Sequence, residues 1–219
     1  MNLKLTARNA LRGFAIVLVA GCAMNTGATG LNDLENFVKT VKTGRADFTQ
    51  VVTSPAKDGQ APRAKTSSGT FEFSRPSRFK FIYKKPFEQS IVADGQTLWL
   101  YDVDLNQVTA RKQAQALGST PAALIAAAPD LRALQADFTL ADAPEQDGLQ
   151  WVLATPKAKD SSLQSVRVGF KDGALAVLEM LDSFGQKSTM RFSAFQANTP
   201  LDAASFQFKP PAGADVIRQ

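Results

Sequence analysis

Three aspartates close together in the sequence, Asp94, Asp102 and Asp104, are the first candidates for chemistry. Paired carboxylates could serve a glycosidase as acid and base, or they could bind a divalent cation. A structural role competes with both uses. Asp94 precedes Gly95, a pair typical of hairpin turns, and Asp102 and Asp104 flank the end of a predicted strand. We therefore interpret all three as turn residues and predict no catalytic site and no metal site here.

The groups that most enzymes use are scarce in these 219 residues. Histidine is absent and cysteine occurs once, at Cys22, which removes His-based acid–base catalysis and the usual nucleophile pairs. The sequence contains neither a Gly-x-Ser-x-Gly elbow nor a Gly-x-x-x-x-Gly-Lys phosphate loop. An apolar cavity would also suit an enzyme that acts on lipids, but without histidine this chain lacks the usual catalytic base. We predict that the protein is not an enzyme and needs no cofactor.

Large aromatic side chains recur at alternate positions, the spacing that places them on one face of a strand. We predict an aromatic slab built from Phe71, Phe73, Phe79, Phe81, Tyr83, Trp99 and Tyr101. Such a slab could bind an apolar ligand, although similar side chains more often fill an ordinary core. The strand around Trp99 is apolar on both faces, so it needs cover from a second layer or from a ligand cavity.

The elements that would position these aromatics are mostly strands. From Arg45 onward, apolar runs of period two are separated by Gly, Pro, Asp and Asn, and turns such as Asp172-Gly173 predict antiparallel hairpins. The polar insert 54–67 is predicted to be a loop or an extended hairpin tip. The predicted strands cover residues 45–53, 68–74, 78–84, 89–93, 97–102, 107–112, 138–141, 149–155, 164–170, 174–181 and 187–195.

Three segments follow a helical pattern instead. Residues 31–41 carry an amphipathic stripe, with Asn32 as the expected cap and Gly44 as the expected end. Thr120 and Pro121 start an alanine-rich helix that runs to Ala128, and Asp130 can cap a further turn or two through Gln135. Helices that interrupt so many strands predict a mainly β fold, an incompletely closed antiparallel barrel whose open side is covered by short helices over a hollow.

Residues 1–28 are predicted to be a secretory signal peptide and linker, with the cleavage site left open. Three basic residues precede an apolar run over residues 13–20 that is too short to span a bilayer. Residues 31–219 are predicted to form one domain. The net charge of +5 includes the three basic residues of the leader, so the rest carries only +2, too little to predict nucleic-acid binding.

Several ordered motifs carry a family resemblance that covers nearly everything after residue 30. They are Phe48-x-Gln50, Gly69-x-Phe71, Arg75-Pro76-x-x-Phe79, Pro86, Gln89-x-Ile91-Val92-x-Asp94-Gly95-x-x-Leu98-Trp99-x-Tyr101-Asp102, Gln107-Val108-Thr109 and Phe206-x-Phe208-x-Pro210-Pro211-x-Gly213-x-Asp215-Val216. Together they resemble the outer-membrane lipoprotein carrier family, the periplasmic chaperones of the Lol pathway. The resemblance implies an unclosed barrel with a helical lid, whose aromatic and aliphatic cavity shelters lipoprotein acyl chains.

The resemblance also implies partners. Family members accept acylated lipoproteins from an inner-membrane ATP-driven transporter and pass them to an outer-membrane receptor that is itself a lipoprotein. Since this chain has no phosphate loop, the work of extraction would come from the partner. We expect a monomer located in the periplasm.

The resemblance assigns roles to individual residues as well. Arg75 matches the family arginine that hydrogen-bonds the lid backbone, so we expect it to latch the helix 121–128. Phe79 matches a position at the cavity mouth, while Leu124 and Ile125 fall where the inward face of the lid should lie. These residues, together with the aromatic slab, are the predicted acyl-chain contacts.

Two alternatives remain open at this point. Val19-Ala20-Gly21-Cys22 resembles a lipobox, after which a cysteine is acylated. If Cys22 is acylated, the better match becomes the outer-membrane receptor of the same pathway, which shares the fold. A sensor of mislocalised lipoproteins is the other alternative, and it would be expected to carry a second domain or tail.

Overall fold

The computed structural model describes residues 29–56, 61–116 and 128–219. The predicted leader, with Cys22, lies outside these residues, and so do Leu124, Ile125 and all of the predicted helix 121–128 except Ala128. The described strands are β1 Thr43–Ser54, β2 Arg63–Ser74, β3 Arg78–Lys85, β4 Gln89–Ala93, β5 Thr97–Asp102, β6 Gln107–Lys112, β7 Phe138–Gln146, β8 Leu149–Pro156, β9 Leu163–Lys171, β10 Ala174–Asp182, β11 Lys187–Ala197 and β12 Asp215–Arg218. The helices are α1 Gly30–Thr40, α2 Gln113–Ala116 and α3 Leu131–Asp137, with a 3₁₀ helix at Ala203–Phe206.

All twelve strands belong to one sheet, in the order β12-β6-β5-β4-β3-β2-β1-β11-β10-β9-β8-β7. Neighbouring strands are antiparallel except for β12 and β6, which are parallel. Because β7 and β12 lie at opposite ends of this order, the sheet is not closed. The prediction of a mainly β, unclosed antiparallel barrel accompanied by helices is confirmed.

Alternating burial along the strands explains how the sheet acquires a concave, apolar face. In β1, Gly44, Ala46 and Phe48 are buried while the residues between them are exposed. Gly44 is required for packing, since a Cβ atom there would lie 2.4 Å from the ring of Phe73. The expectation that Gly44 ends the preceding helix is therefore wrong, because this glycine belongs to the strand.

Helix α1 lies against the β7 to β10 side of the sheet. Its N-cap is Thr29, whose hydroxyl accepts a hydrogen bond from the Asn32 amide, so the expected cap at Asn32 is wrong by one turn. The earlier start is possible because Gly30 approaches the backbone of Trp151 so closely that a Cβ would lie 2.3 Å from its carbonyl oxygen. The apolar stripe of α1 then places Phe37 in ring contact with Phe73, Phe170 and Phe195, at centroid distances of 5.7 to 6.1 Å.

Other elements differ from expectation mainly at their ends. The second strand begins at Arg63, inside the predicted polar insert, because it pairs with β1 as far as Ser54. Helix α3 begins as predicted after Asp130, whose carboxylate accepts a hydrogen bond from the Ala133 amide. The short strand β12 was not predicted. In the part of the chain that the structure describes, no helix is both long enough and apolar enough to cross a membrane.

Candidate functional site

Five phenylalanines, which we call the phenylalanine cluster, occupy the centre of the concave face: Phe48, Phe71, Phe73, Phe79 and Phe81. The register of β2 and β3 places Phe71 opposite Phe81 and Phe73 opposite Phe79. The Phe71 and Phe81 rings stack at 4.4 Å, and every member is at most 2% exposed. The sheet therefore brings four of the predicted slab residues together with Phe48. Their contact with acyl chains stays a prediction.

Tyr83 extends this cluster along β3, as predicted, and adds a polar group to it. Its ring packs edge-on against Phe48 at 5.0 Å, and its hydroxyl donates a hydrogen bond to Gln50 Oε1 at 3.0 Å. Gln50 Nε2 in turn donates to the Ser188 hydroxyl at 2.8 Å. Burial raises the pKa of Tyr83 to about 12, so the phenol remains a protonated donor at physiological pH.

Trp99 and Tyr101 do not join the slab, and that part of the prediction is wrong. The register of β4 and β5 puts Leu98 and Leu100 on the same face as the phenylalanine cluster, where both contact the core. Alternation along β5 then turns the two aromatics to the opposite, outer face. Since both faces of this strand are apolar, the sequence did not say which set would face inward.

The outer face of β5 is covered by the C-terminal segment. The ring of Phe208 packs against Trp99 at 5.4 Å and against Tyr101 at 6.1 Å, and the Arg218 guanidinium lies 5.7 Å from the centre of the Trp99 ring. The indole nitrogen of Trp99 donates to Asp94. The outer face of β5 is therefore covered by a second layer of the protein and not by a ligand cavity.

Arg75 is a buried cation that joins three parts of the chain. It lies in the β2–β3 connection and is 9% exposed. Its Nε donates to the carbonyl oxygen of Val41, the C-terminal cap of α1, at 2.9 Å, and its Nη1 donates to the carbonyl oxygen of Ala128 at 2.6 Å. The guanidinium also lies over the rings of Phe37 and Phe73, 5.5 and 5.2 Å from their centres.

The charge of Arg75 persists at this buried site. Burial lowers its pKa to about 10, which still leaves the guanidinium charged at neutral pH. Helix ends expose carbonyl groups that lack partners within the helix, and a guanidinium offers several donors in one plane to satisfy them. Of the helix that Arg75 is predicted to latch, only Ala128 is among the described residues, so the latch itself stays a prediction.

Comparison with known proteins identifies the family. A family model described as Outer membrane lipoprotein carrier protein LolA matches residues 39–209. The chain belongs to the outer-membrane lipoprotein carrier family. The resemblance of the sequence motifs to that family is thereby confirmed.

Two relatives of high sequence identity agree with this assignment. A protein of Albidiferax ferrireducens named Outer-membrane lipoprotein carrier protein is 74% identical over 213 residues, covering 95% of this chain and 100% of the relative. A protein of the same name from Methylibium petroleiphilum is 54% identical over 205 residues, covering 94% and 96%. Among solved structures, a LolA superfamily protein from Nitrosomonas europaea is 13% identical with a TM-score of 0.46, covering 83% of this chain and 99% of that chain.

Asp94 and Asp102 serve turns, as predicted, and Asp104 lies within the turn that follows β5. Asp94 Oδ1 accepts hydrogen bonds from the Gln96 and Thr97 amides, both at 2.8 Å, and Asp102 Oδ1 accepts one from the Leu105 amide at 3.0 Å. Burial raises the pKa of Asp94, but the hydrogen bonds from Thr97, Trp99 and Gln96 outweigh it and hold the pKa below its usual value.

A hollow of about 770 Å³ lies beside Tyr83, and Tyr83 is the one predicted acyl-chain contact among its described lining residues. It is lined by Gln50 and Tyr83 at the edge of the phenylalanine cluster, and by Phe87 and Leu105 on two loops. Both of these loop residues are 70% exposed, so they present apolar surface to water. No periodic pattern marks them, because single apolar residues in loops carry no such signal.

Glu72 forms a separate polar cluster on the outer face. Its carboxylate pairs with Arg45 at 2.7 Å and with Lys80 at 3.0 Å, its neighbours across the two adjoining strands. Burial raises the pKa of Glu72, but the hydrogen bonds and charges of Lys80 and Arg45 outweigh it and lower the pKa overall.

We expect Glu72→Gln to lower the free energy of unfolding by about 2 kcal/mol at pH 7, because two cations lose a nearly buried partner. A carboxylate whose folded-state pKa is lowered stabilises the fold above its ordinary pKa, and that contribution is lost as the pH falls through the lowered folded-state value. Urea unfolding at pH 7 and at pH 3 measures the difference, which should be smaller at pH 3. The exposed Asp147→Asn is the control, and an equal loss in both variants would contradict the prediction.

Proposed function

We propose that this protein is a periplasmic chaperone for acylated lipoproteins. It accepts cargo from an inner-membrane ATP-driven transporter, shelters the acyl chains against the phenylalanine cluster, and delivers the cargo to an outer-membrane receptor. The observation that carries the proposal is the buried aromatic cluster on the concave face of an unclosed sheet, in a chain that belongs to the lipoprotein carrier family.

Energetics require such an apolar face. Burying one methylene group is worth about 0.8 kcal/mol, so a long acyl chain that leaves a bilayer loses on the order of 10 kcal/mol unless it enters another apolar site. The phenylalanine cluster offers aromatic surface for this purpose. Since its rings pack against one another in the structure, cargo must displace contacts within the protein in order to enter.

Arg75 sets the cost of that displacement. We propose that its hydrogen bonds to Val41 and Ala128 hold the segment ending at Ala128 against the sheet in the cargo-free protein. Incoming acyl chains break the bond to Ala128. Release becomes favourable again because closing the protein restores that bond, so the carrier binds cargo more weakly than it would with the segment already free.

The direct test is release of lipoproteins from spheroplasts. Spheroplasts of a Gram-negative bacterium are incubated with the purified mature protein, and lipoproteins in the supernatant are identified by mass spectrometry after affinity capture. We expect lipoproteins to appear in soluble complexes with the protein. Lipoproteins that stay in the membrane pellet at saturating protein, while a known carrier releases them, would contradict the proposal.

The mature N-terminus separates the carrier from the anchored receptor of the same pathway. We expect the mature protein to begin after Cys22 and to carry no acyl group, because a carrier must leave the membrane. Intact-mass measurement of the protein purified from periplasm and from membranes tests this expectation. A diacylglyceryl mass on Cys22 would contradict it and favour the receptor.

A further inference from the structure

We propose that the hollow beside Tyr83 binds the uncharged polar junction of an acylated cargo, the ester and amide groups where the acyl chains meet the peptide. This inference rests on the proposed function and assigns a second site within it. The acyl chains would continue from the hollow past Tyr83 to the phenylalanine cluster. The hollow has a volume of about 770 Å³, within the range of small-molecule sites.

The position of the hollow is the first argument. Tyr83 lines it and also packs against Phe48, so one side chain borders both the hollow and the buried aromatic rings. At the outer rim, Phe87 and Leu105 expose apolar surface to water. A molecule that lies in this hollow therefore meets the phenylalanine cluster on one side of Gln50 and Tyr83, and the apolar rim on the other.

Gln50, which lines the hollow next to Tyr83, supplies a hydrogen-bond donor for a carbonyl group. An amide nitrogen carries two N–H donors, and Gln50 Nε2 uses one of them on the Ser188 hydroxyl. Gln50 Oε1 accepts a hydrogen bond from the Tyr83 hydroxyl at 3.0 Å, so the amide oxygen already has a partner. The second N–H has no protein acceptor among the described residues, and Gln50 lines the hollow, so this donor can serve an ester or amide oxygen there.

The charges around the hollow favour a neutral junction over an anionic headgroup. Asp102 and Asp104 line the hollow, and Lys65 is the cation among its lining residues, which leaves a net charge of −1. A free carboxylate or a phosphate would be repelled by this lining, whereas esters and amides would not. The hollow would thus discriminate lipoproteins from the fatty acids and anionic phospholipids that surround them in a membrane.

Two probes test the donor. Binding of a fluorescein-labelled tripalmitoyl-S-glycerylcysteinyl peptide is measured by anisotropy, and binding of N-phenylnaphthylamine, which has no ester or amide group, is measured by its fluorescence. We expect Gln50→Leu to weaken lipopeptide binding about fivefold and Tyr83→Phe about twofold, with N-phenylnaphthylamine affinity unchanged. The control is Tyr101→Phe, which removes a tyrosine hydroxyl from the outer face and should change neither affinity. Equal effects of Gln50→Leu on both probes, or no effect on the lipopeptide, would overturn the proposal.

A second pair of probes tests the charge. We expect the unaltered protein to bind the methyl ester of 11-(dansylamino)undecanoic acid about fivefold more tightly than the free acid, and Asp102→Asn with Asp104→Asn to remove that preference. An unchanged preference would overturn the proposal. The substitutions Phe87→Ser and Leu105→Ser test whether the rim contacts a membrane instead. If they abolish flotation with anionic vesicles while every lipopeptide affinity stays unchanged, the proposal is overturned. Failure of the unaltered protein to bind any lipopeptide would instead contradict the proposed function.

Discussion

Arg75→Leu should load lipoprotein cargo and then fail to hand it on. The leucine keeps apolar contact with Phe37 and Phe73 but loses the hydrogen bonds to the Val41 and Ala128 carbonyls. Hydrogen bonds from a charged donor are each worth about 1.5 to 3 kcal/mol. Because only the bond to Ala128 is broken on loading in our proposal, its loss should tighten cargo binding about ten- to a hundredfold. We expect transfer to the receptor to fall by a similar factor.

The measurement uses purified carrier–lipoprotein complex and liposomes that bear the outer-membrane receptor, with the transferred lipoprotein quantified after flotation. Arg78→Leu is the matched control, since Arg78 lies three residues away on the same β-hairpin and contacts Ser74 and Phe206 instead. We expect Arg75→Lys to be intermediate, because an ammonium group cannot reproduce the fork that reaches both carbonyls. Normal transfer by Arg75→Leu would contradict the latch.

The sequence predicted the strands best where turn chemistry was strongest. The bounds of β4, β5 and β6 agree with the prediction residue for residue, because Asp94-Gly95 and the polar residues after Asp102 mark both ends of β5. The strand β12 could not be predicted in this way. It is four residues long and pairs in parallel with β6, more than a hundred residues earlier, so nothing local in its sequence specifies it.

The site was predictable in composition but only partly in arrangement. Paired positions on β2 and β3 brought the phenylalanines together because both strands bear aromatics on one face only. The strand β5 bears large apolar groups on both faces, and register alone decided that Leu98 and Leu100 would lie inward and Trp99 outward. The contacts of Arg75 join three distant segments, which no spacing in the sequence encodes.

Because Phe71 and Trp99 lie on opposite faces of the sheet, substitutions at these two positions can test on which face acyl chains bind. Phe71→Ala removes a fully buried ring that stacks on Phe81 and Phe73. We expect it to lower the free energy of unfolding by about 4 kcal/mol, or the melting temperature by roughly 10 °C, because the alanine leaves a cavity. If acyl chains bind against the phenylalanine cluster, they should fill that cavity. A tripalmitoyl lipopeptide should then raise the melting temperature of Phe71→Ala more than that of the unaltered protein.

Trp99→Ala is the matched control, because it removes an aromatic ring from the opposite face. This variant loses packing on Phe208 and the hydrogen bond to Asp94, so it should also be destabilised. The lipopeptide should raise its melting temperature only as much as that of the unaltered protein, since the lost ring lies on the far side of the sheet from the proposed site. Thermal unfolding followed by circular dichroism, with and without saturating lipopeptide, gives all the shifts needed. A larger ligand-induced shift in Trp99→Ala than in Phe71→Ala would place the acyl chains on the outer face and contradict the concave site.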